Sequence, residues 1–184
     1  MPAVWGIIIV VLAVILVFFI GTYNSLVQLR NRVKDQWSQI DIQLKRRFDL
    51  VPNLVETVKG YTKHEKETLE EVVKARNTYQ TATTPEEQMK ADSELNKTLT
   101  KLFALAEAYP DLKANENFLE LQTELSSIEE KISSARQFYS DSVLNYNNKV
   151  QMFPSNIIAS IFGFRAEKYF EAPAEERENV KVQF

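Results

Sequence analysis

An uninterrupted apolar run near the N-terminus, from Val4 to Ile20, contains no charged or polar side chain. Trp5 and Tyr23 bracket it, and in a helix their rings lie about 27 Å apart along the axis, close to the hydrocarbon thickness of a bilayer. Aromatic side chains of this kind prefer the boundary between lipid and water. We therefore predict that residues 1–23 form a transmembrane segment, with Trp5 and Tyr23 at the membrane interface.

The charges around the apolar run predict its orientation. A cleavable signal peptide is the competing interpretation, but it requires a basic segment before the run and a small-residue cleavage site, and the sequence has neither. Arg30, Arg32 and Lys34 follow the run closely. The positive-inside rule then predicts a single-pass protein of the inner cell membrane, with its N-terminus outside and its helical domain in the cytoplasm.

A helical repeat follows the apolar run, and Pro52 interrupts it. Proline inside a helix removes a hydrogen bond, whereas the first turn of a helix tolerates it. We therefore expect a tight reversal near residues 47–49, with Asp49 capping a second helix. If that helix continues to Thr81 it is longer than the first, and a bend at Gly60 or a tilted bundle would accommodate the difference. The apolar positions before the reversal are Leu26, Leu29, Val33, Trp37, Ile40, Leu44 and Phe48.

Three stretches of the sequence carry a resemblance to a known family. They are RRFDLVPNLVETVKGY at residues 46–61, the segment from Tyr109 to Phe164 that ends in PSNIIASIFGF, and the closing VKVQF. These stretches resemble the LemA family of bacterial membrane proteins, and the similarity covers nearly the whole chain. The resemblance implies an all-helical domain on a single-pass anchor and does not imply a particular activity.

Two further helices are predicted beyond Thr81. Thr84, Pro85 and Glu87 form the pattern of a capping box at the start of one helix. The last helix has a seam of apolar residues with alternating steps of three and four, which indicates packing at shallow angles. We predict an all-α protein in which the transmembrane helix continues into an antiparallel up-and-down four-helix bundle over residues 24–164. An isolated parallel coiled coil is the alternative. The seam is Phe118, Leu121, Leu125, Ile128, Ile132, Ala135 and Tyr139.

The up-and-down topology returns the end of the last helix to the membrane. Ile157, Ile161 and Phe162 lie in an apolar segment at this end. We expect the segment to cap the open end of the bundle, and its contact with the membrane interface is the alternative. The tail, residues 165–184, ends with Val180, Val182 and Phe184 at alternate positions, a period typical of a strand. We predict that these three residues contact a second copy in a homo-oligomer, although an exposed tail or a weak hairpin with residues 168–172 would fit the same pattern.

The composition argues against most kinds of chemistry. Cysteine is absent, the net charge is -3, and there are 4 glycines and 1 histidine. These features argue against thiolate sites, a nucleic-acid surface, phosphate-binding loops and paired histidine metal ligands. Glu129 with Arg136 on the last helix is interpreted as a structural pair, and contact with a partner protein is the alternative. We expect no catalytic residue, cofactor, metal or small-molecule substrate.

The sequence thus favours a non-enzymatic, membrane-anchored scaffold that self-associates or organises partner proteins. An accessory subunit of a membrane proteolysis or stress-response system is the alternative, and it follows only from the family resemblance. The expected partners are membrane lipid, further copies of the chain and other membrane proteins. The predicted core contains Trp37, Ile40, Leu44, Leu54, Leu99, Leu125, Ile128 and Ile132.

Overall fold

The computed structural model describes residues 2–62 and 64–169, and over these residues the protein is helical without strands. The predicted tail contacts at Val180, Val182 and Phe184 lie outside the described residues. The helices are α1 (Pro2–Lys59), α2 (Lys66–Thr81), α3 (Pro85–Ala106), α4 (Pro110–Lys113), α5 (Glu116–Gln151) and α6 (Ser155–Ile161).

The described residues divide into two compact units. The first contains residues 2–38 and 135–169, which include the apolar run, the second part of α5 and all of α6. The second contains residues 39–62 and 64–134, which include the end of α1, the helices α2 to α4 and the first part of α5.

The predicted reversal at residues 47–49 is wrong, because α1 continues through Pro52 and ends at Lys59. The chain leaves the helix at Gly60, and α2 begins at Lys66. The amides of Tyr61 and Thr62 still donate to the carbonyl of Val58, at 3.0 and 3.1 Å, which closes the last turn. The bend that the sequence allowed at Gly60 is therefore the end of the helix, and the expected mismatch in helix length does not arise.

A hydrogen bond from α2 explains how the helix accommodates Pro52. Proline has no amide hydrogen, so the carbonyl of Phe48 loses the partner that helix geometry would give it. The Arg76 side chain supplies a replacement, since its Nε donates to this carbonyl at 3.2 Å. The Phe48 ring stacks on Tyr79 with centroids 3.7 Å apart, and the Tyr79 hydroxyl donates to Asp41 at 3.0 Å.

The apolar repeats correctly predicted most of the core. Trp37 is the exception among the eight predicted core residues: it lies in the first unit and is partly exposed, with its ring 5.9 Å from that of Tyr139. The other seven are in the second unit and buried: Ile40, Leu44, Leu54, Leu99, Leu125, Ile128 and Ile132.

The predicted start of α3 is confirmed. The Thr84 hydroxyl accepts from the Glu87 amide at 3.2 Å, and the Glu87 carboxylate accepts from the Thr84 amide at 3.1 Å. The Thr83 amide also donates to Glu87, at 2.8 Å. These backbone hydrogen bonds, from Thr83 and then Thr84, lower the pKa of Glu87. The cap satisfies amides that have no partner inside the helix.

Candidate membrane interface

The apolar run forms the first part of α1, and its side chains are exposed except for Phe19, which is partly buried. This is the one described helix that is long and apolar enough to cross a membrane, and its most apolar stretch has no buried residue. A helix of a water-soluble domain would bury such a surface against other helices, because exposed apolar area is unfavourable in water. A bilayer is the environment that this part of α1 fits.

Aromatic side chains gather where the apolar run ends. The Phe162 ring, just after α6, lies 4.7 Å from the Tyr23 ring and 5.7 Å from the Phe19 ring. Phe164 is buried, and its ring lies 5.8 Å from the Tyr23 ring. The Arg30 guanidinium is 5.1 Å from the centre of the Phe164 ring, a distance typical of a cation–π contact. We call Phe19, Tyr23, Arg30, Phe162 and Phe164 the aromatic cluster.

A glycine turn places Phe162 and Phe164 in this cluster. Gly163 has a φ of 70°, in the left-handed region that favours glycine. Its amide donates to the Ser160 carbonyl at 3.3 Å, and the Phe164 amide donates to the Ala159 carbonyl at 2.9 Å. This pair of bonds is the Schellman pattern that ends a helix. The turn brings Phe164 back against Tyr23 instead of extending α6.

Side chains of α5 hold the segment that follows the turn. Asn147 is buried, and its amide group donates to the Glu167 carbonyl and accepts from the Glu167 amide, both at 2.9 Å. The Tyr139 hydroxyl donates to the Lys168 carbonyl at 3.4 Å. Burial raises the pKa of Tyr146; the charge of Glu167 raises it further, and Arg30 opposes the shift. These surroundings favour the protonated form of the Tyr146 phenol.

The structure brings together only part of the predicted interface. Tyr23 and Phe162 are in contact, whereas Trp5 lies near the other end of the apolar run. Ile157 and Ile161 are exposed on α6, at 52% and 62%. Sequence reasoning did not pair Phe19 and Arg30 with the rings of Phe162 and Phe164. Glycine directly after an apolar helical segment is a known termination signal and could have indicated the turn that brings them together.

A cluster of charged side chains occupies the second unit. Arg47 is buried, and its Nη1 donates to Asp92 at 2.9 Å and to Glu129 at 2.6 Å. Its Nη2 donates to the Asn96 side chain at 2.9 Å. Glu129 therefore contacts Arg47 of α1. Its predicted partner, Arg136, is on the same helix as Glu129. The guanidinium, which is permanently charged, is held by these acceptors and joins α1, α3 and α5.

The exposed apolar run and the helices that follow it define an all-helical, membrane-associated protein. The chain belongs to the LemA family, whose model matches residues 36–184, so the resemblance seen in the sequence is confirmed. The chain is similar to Protein LemA of Metamycoplasma hominis, with 27% identity over 88% of this chain and 74% of the relative. It is also similar to magnetosome protein MamQ of Magnetospirillum gryphiswaldense, with 26% identity over 86% and 70%. A further relative is MamQ 2 of Paramagnetospirillum magneticum, with 25% identity over 86% and 70%.

Proposed function

We propose that the chain is a non-enzymatic, membrane-anchored helical scaffold that self-associates or organises partner proteins at the bacterial cell membrane. The observation that carries the proposal is the continuity of α1. The same helix contains the exposed apolar run and, further along, the buried residues Leu26, Ile40 and Leu54. No flexible linker separates the anchor from the helical domain, which suits a protein that holds others at a membrane surface.

The proposed domain is an antiparallel four-helix bundle built from the end of α1, α2, α3 and the start of α5. Contacts inside the second unit support this arrangement. Between α1 and α2, between the α2 and α3 segments, and between α1 and α5, the residue numbers rise along one segment while those of their partners fall along the other. The pairs are Asp41 with Tyr79, Phe48 with Arg76, Glu71 with Lys101, Glu65 with Tyr109, Arg47 with Glu129, and Tyr61 with Asn115.

The proposed topology is an external N-terminus and a cytoplasmic domain in the inner membrane. Support comes from the cations Arg30, Arg32 and Lys34, which closely follow the apolar run. The test is a pair of reporters fused after Phe184, one active only in the cytoplasm and one active only after export. The first is expected to be active, and activity of the second alone would reverse the proposed topology.

The scaffold proposal is tested by isolating the full chain from membranes after mild cross-linking and measuring the mass and composition of the particle. A large particle of one species, or one with non-enzymatic membrane proteins in fixed ratio, would support the scaffold. A protease in fixed ratio would instead favour the accessory-subunit alternative, and a monomer without partners would contradict both.

A matched control separates partners of the helical domain from those of the anchor. Ile128 is buried, so Ile128→Asp places an unpaired charge in the core and should unfold the second unit while leaving the apolar run intact. Proteins recovered both with this variant and with the wild type bind the anchor or the affinity matrix used for isolation. Proteins recovered only with the wild type require the folded domain.

A further inference from the structure

The segment that contains α6 has an apolar surface on its outer side. No charged residue occurs between Lys149 and Arg165. Within this interval Ser155, Ile158 and Ala159 are buried, which accounts for one side of α6. Five other apolar side chains of the segment are exposed, and we call them the outer patch: Met152 at 62%, Phe153 at 79%, Ile157 at 52%, Ile161 at 62% and Phe162 at 49%.

The buried side shows that α6 packs within the first unit, but this packing does not explain the outer patch. Phe153 and Ile161 are as exposed as Trp5 and Ile9 in the apolar run, which are at 65% and 64%. Five exposed apolar side chains so close together in the sequence indicate an interaction site, since isolated apolar residues are usual on water-exposed surfaces.

The aromatic cluster indicates what covers the outer patch. Phe162 belongs to the patch and packs on Phe19 and Tyr23, at 5.7 and 4.7 Å. Those two residues are at the end of the apolar run, where α1 leaves the hydrocarbon region. The outer patch is therefore continuous with the membrane-exposed surface of α1 and lies at the depth where tyrosine meets the headgroups.

We propose that the outer patch is a second membrane contact, in which residues 152–162 lie in the headgroup boundary of the bilayer that α1 crosses. The occupant of the patch is lipid. Burial of its apolar side chains among the upper acyl chains removes them from water, and Arg165 and Lys149, which flank the segment, can reach lipid phosphates. With one helix across the bilayer and α6 along its surface, the first unit is held at two points.

The absence of cysteine in the sequence permits a direct test by site-specific spin labelling. Single variants Phe153→Cys, Ile157→Cys and Ile161→Cys of the full chain would be labelled with a nitroxide and placed in nanodiscs of phosphatidylethanolamine and phosphatidylglycerol. Two references complete the set: Val14→Cys in the apolar run and Lys131→Cys on the exposed surface of α5. Circular dichroism checks that each labelled protein keeps its helical content.

The measured quantity is the collision rate of the label with oxygen, which concentrates in lipid, relative to a water-soluble nickel complex. The proposal predicts an oxygen-to-nickel ratio at positions 153, 157 and 161 several-fold above that at 131 and closer to that at 14. Ratios equal to that at 131 would overturn it. Labels shielded from both reagents and showing label–label coupling would also overturn it, because they would identify a second copy of the chain as the occupant.

Discussion

Arg47 is a single buried charge that links the helices of the second unit. It is 3% exposed, and it meets Asp92, itself 1% exposed, together with Glu129. Removing one member of a buried pair leaves the other charge without compensation in a medium that solvates it poorly. Such a residue contributes more to the choice of one helix register than to net stability, since its own desolvation is costly.

We predict that Arg47→Ala lowers the free energy of unfolding by about 3–5 kcal/mol. Lys101→Ala is the matched control, because Lys101 makes an exposed ion pair with Glu71 at 2.9 Å and exposed pairs contribute at most about 1 kcal/mol. Urea unfolding of the full chain in detergent, followed by circular dichroism, measures both values. Equal losses in the two variants would show that the Arg47 cluster is solvated.

Tyr79 is expected to make stability depend on pH at the alkaline end. Burial raises the pKa of Tyr79, and the hydrogen bond to Asp41 and the charge of Asp41 raise it further. The unfolded chain therefore loses the phenol proton first, near the ordinary pKa of about 10. The resulting stabilisation is complete below about pH 10 and is lost as the pH rises towards the folded-state pKa.

The corresponding experiment compares wild type with Tyr79→Phe in urea unfolding between about pH 8 and pH 11. The wild type should lose stability more steeply above about pH 10, because ionisation of Tyr79 stabilises its unfolded state and has no counterpart in the phenylalanine variant. Tyr169→Phe, at an exposed position, serves as control and should follow the wild type. Parallel curves for wild type and Tyr79→Phe would disprove the role of Tyr79.

At the scale of the helices, Pro52 shows which helix boundaries can be predicted from neighbouring residues alone and which cannot. The capping box of α3 was predictable because all its atoms lie within a few residues of one another. The course of α1 was not, because the donor that replaces the missing amide is Arg76, on another helix. The acceptors of Arg47 were not predictable for the same reason, since they lie on α3 and α5.

The apolar repeats succeeded because burial follows helical periodicity whether or not the helix boundaries are known. Ile40, Leu44 and Leu54 keep one face through Pro52, and they are buried in a single helix just as they would have been in two. The position of the reversal and the aromatic cluster required tertiary contacts that one sequence does not display. Helical periodicity thus predicted the core residues, whereas the positions of the turns between helices depend on contacts with neighbouring helices.

We predict an energetic coupling between Pro52 and Arg76. Pro52→Ala restores an amide that can donate to the Phe48 carbonyl, and it should stabilise the protein by up to about 3 kcal/mol. Arg76→Ala should cost about 1.5–3 kcal/mol in the wild type, because it leaves that carbonyl without a partner. The cost should be clearly smaller when alanine is already at position 52. If the effects of the two substitutions on the free energy of unfolding are additive in a double-mutant cycle, Arg76 does not compensate for the amide that Pro52 lacks.

For the whole molecule, the remaining prediction concerns assembly through the C-terminal tail. Val180, Val182 and Phe184 alternate with polar residues, which suits pairing with another chain. Deleting residues 179–184 should lower the particle mass in detergent while leaving the helical content unchanged. Light scattering with circular dichroism measures both quantities, and a Lys181→Ser substitution, which keeps the alternation, is the control. An unchanged mass would exclude a role for the tail in assembly.

Because α1 is continuous, the helix geometry fixes the rotation of the anchor about its own axis. Phe19 and Tyr23 are four residues apart and meet Phe162 from the same side, and each added residue turns an α-helix by about 100°. One alanine inserted after Gly21 would rotate Phe19 away from Phe162 and leave Tyr23 in place, which loss of cross-linking between cysteines at 19 and 162 would reveal. The side of the anchor that faces lipid is therefore determined by the number of residues in the helix.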